Sequence, residues 1–156
     1  MVSAQGRKLV DLLREQFGRQ ADSATVMQID SAFARYLRGD DPGPVPPIAA
    51  PIMVPANRNF MRSWVAYDPQ EEVRRLRVPL LIVQGTTDVQ TTMADAKLLA
   101  AAQPAATLVV LDGVNHVLKA VPTTDLAPQM ASYRDPRTPL APGVTDAIVR
   151  WASSRD

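Results

Sequence analysis

The sequence has no cysteine and only one histidine, His116. Without thiols the chain forms no disulfide, thiolate nucleophile or cysteine metal site, and a single imidazole excludes a multi-histidine metal centre. The lack of cysteine leaves the redox compartment open. The glycine-rich turn G-x-G-x-x-G is also missing, which argues against a nucleotide-binding βαβ unit. We therefore expect neither a metal nor a cofactor.

A strong charge of one sign and long apolar runs are absent too. The 17 basic and 16 acidic residues give a formal net charge of +1 and form no polybasic patch, so we expect no nucleic acid or anionic membrane partner. No apolar run approaches the roughly 20 residues that span a bilayer, and the N-terminus MVSAQGRKL lacks the apolar region of a signal peptide. The sequence therefore predicts a soluble chain without a membrane span. Its 156 residues and 46% hydrophobic content suit one globular domain.

Residues 1–76 read as helices and loops. Leu9, Leu13 and Phe17 form the apolar stripe of an amphipathic helix that ends near Gly18. A second helix is predicted over 23–38, with Ser23 or Asp22 as N-cap and Gly39 as stop, and two short helices follow around 60–65 and 68–76. In the last of these, Glu71 and Arg75 stand four residues apart. Between the second and third helices, six prolines in 42–55 predict an extended connection, either a hinge or a draped loop.

Residues 77–156 read as α/β. Leu80 to Val83 are all large and apolar, which predicts a central parallel strand buried on both faces, and TLVVL at 107–111 repeats the pattern. Between them, Thr92 and Asp95 have capping-box spacing at the start of a helix that runs to about Gln103. This βαβ order predicts two parallel neighbouring strands, and a last helix is expected at about 143–154. The 32 residues from Asp112 to Gly143 contain several prolines and read as a long irregular segment.

Two residues carry the predicted chemistry. Asp88 follows the first strand and His116 lies five residues past the second, so both side chains should reach the carboxyl edge of the sheet, where strands are about 4.8 Å apart. A carboxylate that accepts a hydrogen bond from one imidazole nitrogen leaves the other nitrogen free as a base. The alternative for each residue alone is structural: a turn or helix-initiating aspartate, and a satisfied or surface histidine.

At these residues the sequence resembles a known family. PLLIVQGTTDVQ followed by TLVVLDGVNHVLKAVP is similar to the C-terminal third of the α/β-hydrolases, specifically a bacterial serine-hydrolase group, and SYRDPRTPLAPGVTDAIVRW is similar to the end of those proteins. The likeness spans nearly the whole chain, but its specific motifs lie within residues 78–122. It implies a partial α/β-hydrolase fold, with a helical lid region at 1–76 and the C-terminal βαβ unit and helix at 77–156. It also implies that Asp88 is the triad acid, that His116 is the base, and that the substrate is a small ester or other acyl compound.

The chain departs from this family at the nucleophile. No serine has glycines at both minus two and plus two, so the G-x-S-x-G elbow and its oxyanion donors are missing. The only further candidate strand, Val2 to Ala4, is too short to cover the predicted sheet. We therefore expect either a complementing N-terminal segment or self-association through the uncovered edge, and no activity from this chain alone. The alternative is a noncatalytic remnant or excised domain that associates through this edge.

Three other side chains complete the predictions. Phe60 and Trp64 could line an acyl pocket, although an aromatic pair at helical spacing also suits simple core packing. Asn115, next to His116, could orient the loop that carries the base.

Overall fold

The computed structural model describes residues 6–154, which divide into two compact units. The helical unit is Arg7–Asp68, and the sheet unit contains Gly6 and residues 69–154. Helix α4, Pro69–Arg75, belongs to the sheet unit because it packs against the helix that connects the two strands. The sequence had placed the division after residue 76, and thus α4 with the lid-like region.

The helical unit contains three helices, as predicted: α1 (Leu9–Gly18), α2 (Ser23–Arg38) and α3 (Arg58–Val65). Asp22 is the N-cap of α2, since its side chain accepts a hydrogen bond from Thr25 N at 2.7 Å. Gly39 ends α2 with a φ of 94°, a left-handed conformation in which any other residue would be strained. The apolar stripes of the three helices form a single core with the buried residues Leu9, Phe17, Ile29, Ala32, Phe33, Tyr36, Ala49, Met53 and Met61.

The proline-rich connection is draped over this core. It contains two short 3₁₀ turns, Ala50–Ile52 and Pro55–Asn57, and buries Ala49 and Met53 among the helices. The hydroxyl of Tyr36 in α2 donates to Val54 O at 2.8 Å. A second side chain of α2, Gln28, donates from Nε2 to Pro44 O at 3.2 Å. Because prolines remove backbone donors, the segment forms no regular structure beyond the two turns, and these side chains help to hold it.

The sheet unit has the predicted βαβ core, which makes the chain a mixed α/β protein. Strands β1 (Leu81–Gly85) and β2 (Thr107–Leu111) pair in parallel, with Leu81 opposite Thr107 and Gly85 opposite Leu111. The crossover helix α5 (Met93–Ala102) begins with the predicted capping box: Thr92 and Asp95 exchange side-chain to backbone hydrogen bonds. Among residues 6–154 the sheet has only these two strands, and the candidate strand at Val2 to Ala4 lies outside the described residues.

The prediction that both strands are buried on both faces is wrong. Leu81, Ile82 and Val83 are only half-buried, and Val110 is 44% exposed. A two-stranded sheet has no central strand, so each strand has an edge that no other described strand covers. The apolar residues are those of a central strand, and the part of the chain that the structure describes does not surround them.

Two more helices follow β2. Helix α6 (Leu126–Arg134) was not predicted, whereas α7 (Val144–Ser153) was, and it packs on β1. In α4, Glu71 pairs with Arg74 and Glu72 with Arg75. Both ion pairs have a spacing of three residues. Across residues 6–154 no helix is both long and apolar enough to cross a membrane.

Candidate active site

Asp88 lies in the turn after β1, and its carboxylate accepts three hydrogen bonds from local donors. Oδ1 accepts from the backbone amides of Gln90 at 2.8 Å and Thr91 at 2.9 Å. Oδ2 accepts from the Thr91 hydroxyl at 2.8 Å. Only 7% of the Asp88 side chain is exposed. The residue therefore shapes its own turn, as the structural alternative proposed, and its Oδ2 has a further lone pair for a partner.

That partner is His116. Its Nδ1 lies 2.9 Å from Asp88 Oδ2, so the structure brings the two predicted residues together at the carboxyl edge of the sheet. An ionised carboxylate can only accept, and Nδ1 must then carry the proton of this bond. The imidazole is 20% exposed, and none of residues 6–154 hydrogen-bonds its Nε2. We call Asp88 and His116 the dyad.

The two turns of the dyad meet because Gly85 has no side chain. A Cβ at this position would lie 1.9 Å from the carbonyl oxygen of Val114, in the loop that carries His116. The close approach lets Thr87 N donate to Val114 O at 3.2 Å. Gly85, the last residue of β1, is thus the contact point between the turn that carries Asp88, which we call the acid turn, and the loop that carries His116, which we call the base loop.

The base loop folds back on itself as a short hairpin. Val114 and Ala120 form an antiparallel bridge, and Asn115 N donates to Lys119 O at 3.0 Å. The fully buried Asn115 side chain accepts from Lys119 N at 3.0 Å and donates to the Ser132 hydroxyl at 2.8 Å. The Asn115 side chain therefore links the two sides of the loop to each other and to Ser132, and its role in orienting the loop stays a prediction. Leu118, at the tip, has a φ of 60°, an uncommon left-handed value for leucine.

Helix α6 lies behind the dyad and contributes the residues that the sequence reading missed. Gln129, completely buried, donates from Nε2 to Thr87 O at 3.0 Å and to Thr123 O at 2.7 Å. Tyr133 OH accepts from the side chain of Gln90 at 2.8 Å. The proline at position 128 made this region read as irregular, but it lies in the first turn of α6, where a missing backbone donor costs nothing. The sequence signal that could have predicted the start of α6 was Asp125, a common N-cap residue immediately before the helix, although its side chain makes no capping hydrogen bond.

Burial raises the pKa of Tyr133 above the usual range of tyrosine. The negative charge of Asp88 adds to this increase, whereas the hydrogen bond from Gln90 opposes it. The charge of Asp88 therefore acts on Tyr133 electrostatically.

The predicted pocket residues lie in the helical unit. Phe60 and Trp64 on α3 pack against each other with ring centroids 5.2 Å apart, and Phe60 is 59% exposed. This contact agrees with the alternative that the two aromatic rings simply pack together. A role in an acyl pocket stays a prediction. Across residues 6–154 no three histidine, cysteine, aspartate or glutamate side chains cluster in a way that could hold a metal ion.

Comparison with known proteins adds no assignment. No protein-family model matches the chain, and no curated protein matches it significantly.

Proposed function

We propose that this chain carries the acid and base of a serine hydrolase of the α/β-hydrolase type, which acts on a carboxylic ester or related acyl substrate. The observation that supports it most directly is the 2.9 Å contact between His116 Nδ1 and Asp88 Oδ2 at the carboxyl edge of parallel strands. The order of aspartate before histidine is also that of the family that the sequence resembles.

In this mechanism His116 Nε2 removes the proton from a serine hydroxyl as the oxygen attacks the acyl carbon. Asp88 holds the ring through Nδ1 and stabilises the imidazolium, which then protonates the departing alkoxide. Water repeats the sequence on the acyl-serine and releases the acid. The serine and the oxyanion donors come from a polypeptide segment outside this sequence, because the chain contains no G-x-S-x-G.

The resemblance assigns the helical unit to substrate access. In that proposal Arg7–Asp68 is the lid, and Phe60 and Trp64 contribute apolar surface for the acyl group. The exposure of Phe60 suits this role, since a large apolar side chain at a surface is available to a ligand.

The first experiment uses the chain alone. Treatment with a fluorophosphonate probe and assay with a short-chain ester should both give no signal above a buffer blank. Covalent labelling of any serine in this chain would overturn the assignment of the nucleophile to another segment.

The second experiment supplies the nucleophile. If the DNA upstream of the Met1 codon encodes an in-frame G-x-S-x-G, co-expression of that segment should produce ester hydrolysis; if it does not, the noncatalytic alternative is favoured. His116→Ala should abolish the activity, whereas Glu72→Gln, a substitution at an exposed residue of the same unit, should leave it unchanged. Equal activity of the His116→Ala and Glu72→Gln proteins would refute the role of His116.

The half-buried strands favour a second candidate, a noncatalytic module that associates through its sheet. Val110 at 44% exposure is unusual for an apolar strand, and an unpaired strand edge attracts other strands. Size-exclusion chromatography with light scattering should then find dimers or larger species. A monodisperse monomer over a range of concentrations would exclude this candidate.

A further inference from the structure

Gln129 is a buried amide that connects two loops. Its Nε2 uses both hydrogens, one toward Thr87 O at 3.0 Å and one toward Thr123 O at 2.7 Å. Thr87 immediately precedes Asp88, so the amide holds the backbone from which the acid of the dyad projects. Gln129 itself is 0% exposed and lies one turn inside α6.

The other end of the same amide is unsatisfied. Gln129 Oε1 is buried, and no described residue donates a hydrogen bond to it. Because an unpaired buried acceptor is unfavourable, packing alone would favour methionine or leucine at this position. The two donated bonds are therefore the reason that glutamine suits the site.

The helix holds the base loop as well. Ser132, one turn after Gln129, accepts from Asn115 Nδ2 at 2.8 Å and donates to Gln129 O at 2.7 Å. Lys119, on the other side of the loop tip, donates from Nζ to the carbonyl of Ser132 at 2.7 Å and to that of Asp135 at 2.6 Å. Residues on both sides of His116 are thus tied to α6.

We propose that α6 is a positioning element of the dyad and that Gln129 is its central positioning residue. The helix holds the acid turn through Gln129 and the base loop through Ser132, and so keeps Asp88 Oδ2 and His116 Nδ1 at hydrogen-bonding distance. The proposal rests on the proposed function only for the catalytic role that it gives to Asp88 and His116. The geometry that it concerns is measurable in this chain without substrate or nucleophile.

The single histidine makes the test unambiguous, because ¹⁵N-histidine labels only the ring of His116. Long-range ¹H–¹⁵N spectra at alkaline pH distinguish the two neutral tautomers. In the wild-type chain the bond to Asp88 should hold the ring mainly in the Nδ1–H form. Asp88→Ala should remove this preference and calibrates the signal.

Gln129→Met removes both donated bonds while keeping a similar volume. The ratio of Nδ1–H to Nε2–H tautomer should fall roughly fivefold, the effect of losing about one hydrogen bond. The matched control is Gln103→Met at the end of α5. Gln103 also donates from Nε2 to two backbone carbonyls, those of Val73 and Leu76, and it lies four residues before the start of β2, at the opposite edge of the sheet. The control should retain the wild-type ratio.

Ser132→Ala provides a second and smaller change if Gln129→Met does not give a folded protein by far-ultraviolet circular dichroism. It should also lower the tautomer ratio, whereas Ser154→Ala should not. Ser154 makes a similar bond to a carbonyl three residues earlier in α7.

The outcomes separate the two proposals. An equal ratio in the wild type and in a folded Gln129→Met protein, or in the wild type and Ser132→Ala, refutes positioning by α6 and leaves the proposed function intact. A wild-type ring without preference for Nδ1–H refutes the dyad itself, and with it the proposed function.

Discussion

At the scale of single residues, Asp88 combines two roles that the sequence presented as alternatives. Oδ1 closes the turn onto Gln90 and Thr91, and Oδ2 meets both the Thr91 hydroxyl and His116. The same donors that shape the turn also orient the carboxylate toward the imidazole. A turn aspartate at the end of a parallel strand is thus already in the place that an acid of a dyad needs.

Neutralising Asp88 should lower the pKa of Tyr133. Because the Asp88 charge is a minor cause of the raised pKa and burial is the main one, Asp88→Asn should move the pKa only part of the way back to the usual tyrosine value. Titration of ¹³C-tyrosine resonances measures this directly. Tyr36, whose pKa burial also raises, belongs to the helical unit and is the internal control. An unchanged Tyr133 titration would contradict the electrostatic effect of Asp88 on this tyrosine.

Tyr36 should make the helical unit sensitive to alkali. Burial raises its pKa, so its contribution to stability is complete below the usual tyrosine pKa and is lost as the pH rises through the raised value. Tyr36→Phe should reduce this alkaline loss and should cost about 1 kcal/mol at neutral pH, since the hydrogen bond to Val54 O disappears. Urea denaturation at neutral and alkaline pH tests both effects. An identical alkaline loss in the two proteins would contradict the assignment to Tyr36.

At the scale of elements, periodicity and caps predicted α1 to α3, α5 and α7 with bounds close to those observed. Asp22, Gly39, Thr92 and Asp95 mark element ends through local bonds, which the sequence displays directly. Helix α6 was not predicted because it is short, its apolar residues show little helical periodicity, and Pro128 suggested irregular structure. Its polar residues Gln129 and Ser132 are buried by tertiary contacts, which no local pattern reveals.

Gly85→Ala should separate the acid turn from the base loop. The new Cβ would collide with the carbonyl of Val114, a backbone atom that cannot move alone, and the free energy of unfolding should fall by more than about 2 kcal/mol.

Gly18→Ala is the matched control for this change. Gly18 ends α1, and a Cβ there would meet no atom within 4 Å. This substitution should stabilise the chain by about 0.5 kcal/mol because alanine loses less backbone entropy. Equal stability of the Gly85→Ala protein and the wild type would disprove the close approach.

At the scale of the whole molecule, the two units differ in how completely they bury their apolar residues. The helical unit has nine buried core residues from three helices and the proline-rich connection. The sheet unit has seven buried hydrophobic residues, and only three of them, Val114, Ala141 and Val144, form a cluster, at the base loop and α7. The sequence predicted buried strands because Leu80 to Val83 are all apolar, but burial also depends on neighbouring elements, and residues 6–154 do not surround these strands.

The order of hydrogen-exchange rates should therefore be the reverse of that in most α/β proteins, in which the strands of the sheet exchange most slowly. Backbone amides in the middle of α2 should exchange more slowly than those of β1 and β2, because exposed and sparsely packed elements open at lower free energy. Exchange measured by mass spectrometry with peptide resolution provides the comparison. Slower exchange in the strands than in α2 would show that another surface covers the sheet in solution.

Leu118 is a position at which substitution affects backbone strain and apolar packing in opposite directions. Its left-handed backbone is unfavourable by about 1 kcal/mol, yet its side chain packs against the cluster formed by Val114, Ala141 and Val144, and its carbonyl accepts from Ala141 N at 2.8 Å. Glycine would relax the backbone and asparagine would tolerate it, but neither replaces the apolar contact. Either substitution at position 118 would thus exchange relief of backbone strain for loss of apolar packing, in the loop that carries His116.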